Sequence, residues 1–213
     1  MIRSVFQIYV EQSAVLMPAA AVVFLITGLL ATALLSASPG LALLALVFSV
    51  LGTSIFTGMI VELVAEVRKG GAEVKLGALL RSIRSCIGRL IGVSIFATIC
   101  EGFGLLLFIV PGLILLSIWS VYAPVIVLED VPGLGSLGRS RELVRGNGWR
   151  VFTVILMLVL MVALAGSAIT LAAESAGAAV GLVVRVVIGV LIAPLSSLAA
   201  AVLYFELRDA HGE

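Results

Sequence analysis

The chain contains a single histidine and two cysteines, and only 12% of its residues are charged. The histidine, His211, lies in a polar C-terminal tail, which argues against a Ser-His-Asp triad or a histidine-built metal site. Cys86 and Cys100 share no CxxC or metal-type spacing and read as unpaired thiols. The usual glycine motifs for nucleotide phosphates are missing. We therefore expect no catalytic residues, no cofactor, no resident metal and no nucleic-acid partner. Soluble domains carry about 25% charged residues, so this chain has too little polar surface to face water all round.

Apolar residues are abundant instead. They make up 62% of the sequence, and the mean hydropathy is +1.30. A spanning helix needs roughly 20 apolar residues. Runs of that size fall near 14–37, 41–65, 88–109, 112–129, 150–173 and 177–206. The third and fourth come from one long apolar stretch, divided at Val110-Pro111-Gly112, a turn signal. None shows the period-2 alternation of a barrel strand, so they read as helices. The expected fold is an all-α polytopic membrane bundle of about six transmembrane helices forming one domain over 1–213. The first run is too long for a cleavable signal peptide. Arginine outnumbers lysine, and alanine and glycine are plentiful, which suggests a prokaryotic source.

Twelve of the thirteen Lys and Arg residues lie in four patches separated by these runs. Arg3 opens the chain and Arg208 closes it. Between them lie Arg68, Lys69, Lys75, Arg81, Arg84 and Arg89, then Arg139, Arg141, Arg145 and Arg150. With six spans all four patches fall on one side, and the opposite loops hold no Lys or Arg. The positive-inside rule then predicts a multi-pass cell-membrane protein with both termini cytoplasmic.

Three inward segments, near 1–12, 72–87 and 134–145, show apolar residues at helical spacing and read as short amphipathic interfacial helices. In 72–87 the stripe is Leu76, Leu79, Leu80, Ile83 and Ile87. Anionic headgroups are the expected partners of Arg81, Arg84, Arg89, Arg139, Arg141, Arg145 and Arg150. Residues 77–88 and 135–146 both fit G-x-L-x-R-S-x5-G. This is either a repeated unit or the common vocabulary of basic interfacial helices.

Two charges fall inside the spans. Glu101 lies about 12–15 Å from the end of the third run and Arg185 at similar depth in the sixth. Buried charges in lipid usually pair, so either Glu101 and Arg185 form an intramembrane ion pair, or Arg185 snorkels outward and Glu101 is protonated or lines a wet cleft. Pro18, Pro124 and Pro194 mark expected helix kinks. The carboxylates Glu62, Glu66, Glu129 and Asp130 read as solvated helix ends.

Three stretches carry a family resemblance: FGLLLFIVPGLILLSIWSVYAPVIVLED, LGRSRELVRGNGWRVF and VLYFELRDAHGE. Pro111-Gly112, Trp119, the run from Pro124 to Glu129, Arg139-Ser140 with Leu143 and Gly146, and Tyr204, Leu207 and Arg208 carry the likeness. Together they resemble the membrane domain found with glycerophosphoryl diester phosphodiesterases and its stand-alone prokaryotic relatives. We expect no catalytic domain of that family in this chain. The resemblance implies an integral membrane protein of about six helices with a role in membrane or lipid homeostasis. The leading functional expectation is a non-enzymatic bundle that binds lipid, a second copy of itself or a membrane partner protein. The alternatives are a transporter or channel using Glu101, Arg185 and the Pro-kinked helices, and an intramembrane lipid-modifying enzyme.

Overall fold

A computed structural model describes residues 13–69, 76–131 and 133–212. The predicted interfacial segment 1–12 lies outside the described residues. All described elements are helical. Helix α1 (Ser13–Ala37) and α2 (Ala42–Arg68) are joined by a 3-10 turn, Pro39–Leu41. Then come α3 (Leu76–Ile83), α4 (Ile87–Leu107), α5 (Ile109–Ile118), α6 (Tyr122–Leu128) and α7 (Gly135–Val144). Helices α8 (Gly148–Ala176) and α9 (Ala178–His211) complete the bundle. Six segments are long and apolar enough to cross a membrane: α1, α2, α4, α5 together with α6, α8 and α9. The fold is an all-α polytopic helical bundle.

The long apolar run divides at Phe108, whose extended backbone (φ −155°, ψ 134°) ends α4 and starts α5. Val110-Pro111-Gly112, expected at the turn, forms the first turn of α5 instead. Proline suits that place, because the first helical N–H groups have no partner within the helix. A second break, at Trp119–Val121, divides α5 from α6. Pro124, where a kink was expected, is the third residue of α6 and follows this break. Helices α1 and α9 continue through Pro18 and Pro194.

Helix α2 packs against α1, α3, α4, α6 and α9, and α9 packs against α1, α2, α6, α7 and α8. The main core therefore gathers around α2, with Phe56, Leu63, Leu90, Ile126 and Leu198 almost fully buried. A second core lies where α6, α7, α8 and α9 meet, built on Val125, Leu143, Val151, Leu203 and Tyr204. Helix α8 is different. Only 6% of its apolar window is covered by protein, against 44% for α5–α6 and for α9. An apolar helix left so open is stable where its surroundings are lipid rather than water.

Candidate functional site

The charged ends of the spans gather at one end of the bundle, where side chains tie them together. The Arg68 guanidinium reaches Asp209 at 3.6 Å, joining α2 to α9, and lies over the Phe205 ring at 4.4 Å. Arg89 pairs with Asp130 and also donates to its backbone carbonyl at 3.1 Å. Arg150 of α8 donates to Glu206 of α9 at 3.0 Å. Ser82 of α3 donates to Glu62 of α2 at 2.6 Å. Lys69 pairs with Glu66 one turn back, at 3.0 Å.

The most enclosed of these contacts centres on Glu129, just past the end of α6. Its carboxylate accepts from Arg139 Nε at 2.9 Å and from the Tyr204 hydroxyl at 2.9 Å. Arg139 also lies 3.7 Å from Glu142, and Arg208 lies beside Tyr204. Tyr204 is fully buried, and the Glu129 and Arg139 side chains are 18% and 26% exposed. The neighbouring Ser140 is buried and spans the break in the fourth run. It donates to the Ile118 carbonyl at 2.8 Å and accepts from the Val121 N–H at 3.3 Å. Backbone groups freed by a break in a membrane helix need such partners.

Helix α7 is thus more than a surface helix. Leu137 and Val144 are buried, and so are Ser136, Ser140 and Leu143; Leu134 is exposed. Arg139, expected on the headgroup face, instead turns its guanidinium to Glu129. Gly146, with φ +94°, follows the helix in the left-handed conformation that glycine favours. Helix α3 buries Leu79 and Ile83 and leaves Arg81 and Ser82 exposed, as are Arg84 and Ser85 in the turn that follows it. The two G-x-L-x-R-S segments share a buried leucine (Leu79 and Leu137) and a serine bonded to a neighbouring span. They diverge at Ser85 and Leu143, one exposed and the other buried.

The expected headgroup arginines therefore fall into two groups. Arg89, Arg139 and Arg150 hold carboxylates. Arg81, Arg84, Arg141 and Arg145 are exposed and make no ion pair or hydrogen bond among the described residues. Glu101 is half-buried on α4, two turns along from Ser94, which accepts a hydrogen bond from the Tyr122 hydroxyl at 3.0 Å. The Arg185 side chain, its expected partner, lies outside the described residues. Cys86 is buried and Cys100 half-buried, and both are free thiols. Burial holds the Cys86 thiol above its ordinary pKa, partly offset by nearby Arg89. A raised pKa means less thiolate at neutral pH. Maleimide labelling in detergent at pH 7 should therefore leave Cys86 largely unmodified, with the rate rising as pH approaches 9. Fast labelling of a Cys100→Ser variant at pH 7 would contradict this placement.

Two clefts adjoin at Trp149, which is 82% exposed and stacked on Phe152 at 5.7 Å. One, of about 360 Å³, runs between α5 and α8 past Ile114, Ile118, Val144 and Phe152. The other, of about 680 Å³, is lined by Gly146, Asn147, Arg150, Thr153 and Met157. The sequence carries no sign of the clefts, because they arise from α5 and α8 meeting side by side.

Fold and site define a multi-pass integral membrane protein whose charged residues are concentrated at one end of the bundle. Comparison with protein-family models, with curated proteins and with solved structures found no match.

Proposed function

We propose that this protein is a non-enzymatic cell-membrane bundle that binds anionic lipid at the arginine rim of its charged end. In this reading the rim faces the cytoplasm, as the positive-inside rule requires, and the protein serves membrane homeostasis. The observation that carries the reading is the division among the arginines. Those that hold the bundle together are neutralised by carboxylates, while Arg81, Arg84, Arg141 and Arg145, on two short helices and the turns that end them, are exposed and unpaired among the described residues. A basic segment at a membrane surface gains about 1 kcal/mol per Lys or Arg from an anionic leaflet. The proposed kinship with the membrane domain of glycerophosphoryl diester phosphodiesterases agrees with this role. The residues that carry the likeness, Glu129, Arg139, Ser140, Leu143, Tyr204 and Leu207, meet at the α6–α7–α9 junction.

The test is thermal unfolding of the purified protein in mixed micelles. Phosphatidylglycerol should raise the midpoint well above the value in phosphatidylcholine. Changing Arg81, Arg84, Arg141 and Arg145 together to Gln should abolish the difference without lowering the midpoint in phosphatidylcholine. Equal midpoints of the parent protein in the two lipids would overturn the reading.

A further inference from the structure

We infer that the clefts on either side of Trp149 form a binding site for one diacyl anionic phospholipid, with one acyl chain in each cleft and the phosphate at the α7–α8 turn. This inference rests on the anionic-lipid reading above and gives it a location. Three observations support it. The first is shape. The α5–α8 cleft follows α5 from Ile118 to Val110, eight residues or about 12 Å of helix. That gives the cleft the elongated, apolar form that an acyl chain fills, running from Ile118 towards the α4–α5 hairpin.

The second observation is chemistry along the clefts. The α5–α8 cleft is walled by Ile114, Ile118, Val144 and Phe152, as an acyl chain requires. The neighbouring cleft is apolar towards Val154 and Met157 and polar at Asn147 and Arg150. Trp149 stands between the two, where two chains leaving one glycerol would straddle its ring. An amphipathic indole at that boundary is typical of the interfacial belt.

The third is charge. Arg145 directly precedes Gly146 at the mouth of the second cleft, and Arg141 lies one helical turn before Arg145. Both are exposed and unpaired among the described residues. The carboxylate nearest in sequence, Glu142, is already within 3.7 Å of Arg139. Arg150 in the cleft is already paired with Glu206, so Arg141 and Arg145 are the cations that would meet the phosphodiester of a headgroup with no cation of its own.

Tryptophan quenching by brominated lipids tests the site. In a Trp119→Phe background Trp149 is the only tryptophan. Brominated phosphatidylglycerol and brominated phosphatidylcholine are titrated into vesicles of unlabelled phosphatidylcholine. Each unpaired arginine is worth about fivefold in partition, so the two together should give the anionic lipid about a thirtyfold advantage at Trp149. Arg141→Gln with Arg145→Gln should bring that advantage close to one. Gly148→Leu should also reduce it by blocking the cleft, with the arginines intact. Gly148 lines the α5–α8 cleft, and a Cβ there meets nothing within 4 Å, so this variant should keep the parent fold.

Two results would overturn the site. Quenching could be equal for the two brominated lipids while phosphatidylglycerol still stabilises the protein in micelles. The rim reading would then stand and the site would be wrong. Trp149 could instead be shielded from both lipids, which would place that face against a second copy of the chain. If phosphatidylglycerol neither quenches selectively nor stabilises, both readings fail.

Discussion

Replacing Glu129 with Ala should destabilise the bundle by about 2–3 kcal/mol, the largest effect expected of any change at its charged end. Removing one partner of a fully buried ion pair costs about 3–5 kcal/mol, because the other charge is left without compensation. The lower figure applies here because Glu129 and Arg139 retain 18% and 26% exposure and water reaches both. The Tyr204 hydroxyl adds to the loss. It is fully buried and loses the carboxylate to which it donates, and a buried donor without a partner costs about 1–3 kcal/mol. Glu129→Gln should be milder, since its amide oxygen still accepts from Tyr204. Unfolding in graded dodecyl sulfate measures each variant. The double variant Glu129→Ala/Arg139→Ala should be more stable than the two single losses summed, by about 1–2 kcal/mol, as expected for contacting residues. Strict additivity would show that the contact contributes little to the fold.

The Glu129 cluster also marks where the sequence ceased to be legible. The six apolar runs could be read directly, because the length a bilayer demands is a local property. The burial of Leu79 and Ile83 could be read as well, since an amphipathic stripe repeats within one or two turns. The partners of the arginines could not. Arg139 meets Glu129 across ten residues, and Glu129 meets Tyr204 across 75. An arginine in a basic patch looks the same in sequence whether it faces a headgroup or a carboxylate. Ser140 is similar. Its spacing matched Ser82, but only the break at Trp119–Val121 gives it two backbone groups to satisfy. That break has no proline or glycine at its centre, and Pro124 pointed a few residues too far along. The clefts beside Trp149 were hidden for the same reason: their walls come from α5, α7 and α8, which no periodicity joins.

The second large effect is expected at the opposite end, in the α4–α5 hairpin. A Cβ added to Gly112 would lie 2.6 Å from the backbone nitrogen of Leu105 and equally close to its side chain. From the other side, a Cβ on Gly104 would lie 3.1 Å from the Gly112 Cα. The two helices meet backbone to backbone, as small residues allow in membranes. Gly112→Ala must push α4 and α5 apart. Overpacking of this kind costs about 1–3 kcal/mol, and the gain of up to ~1 kcal/mol in helix propensity offsets only part of it. Gly112→Val should cost more still, with a loss of folded yield. Gly102→Ala is the control. It lies on α4 with nothing within 4 Å of the new Cβ, so it should be neutral or slightly stabilising. A second change, Leu105→Ala, separates the causes. It removes the side-chain clash but leaves the Leu105 nitrogen in place, so it should rescue Gly112→Ala only in part. Complete rescue would mean that side-chain bulk, and not the approach of the two backbones, makes glycine necessary at this crossing.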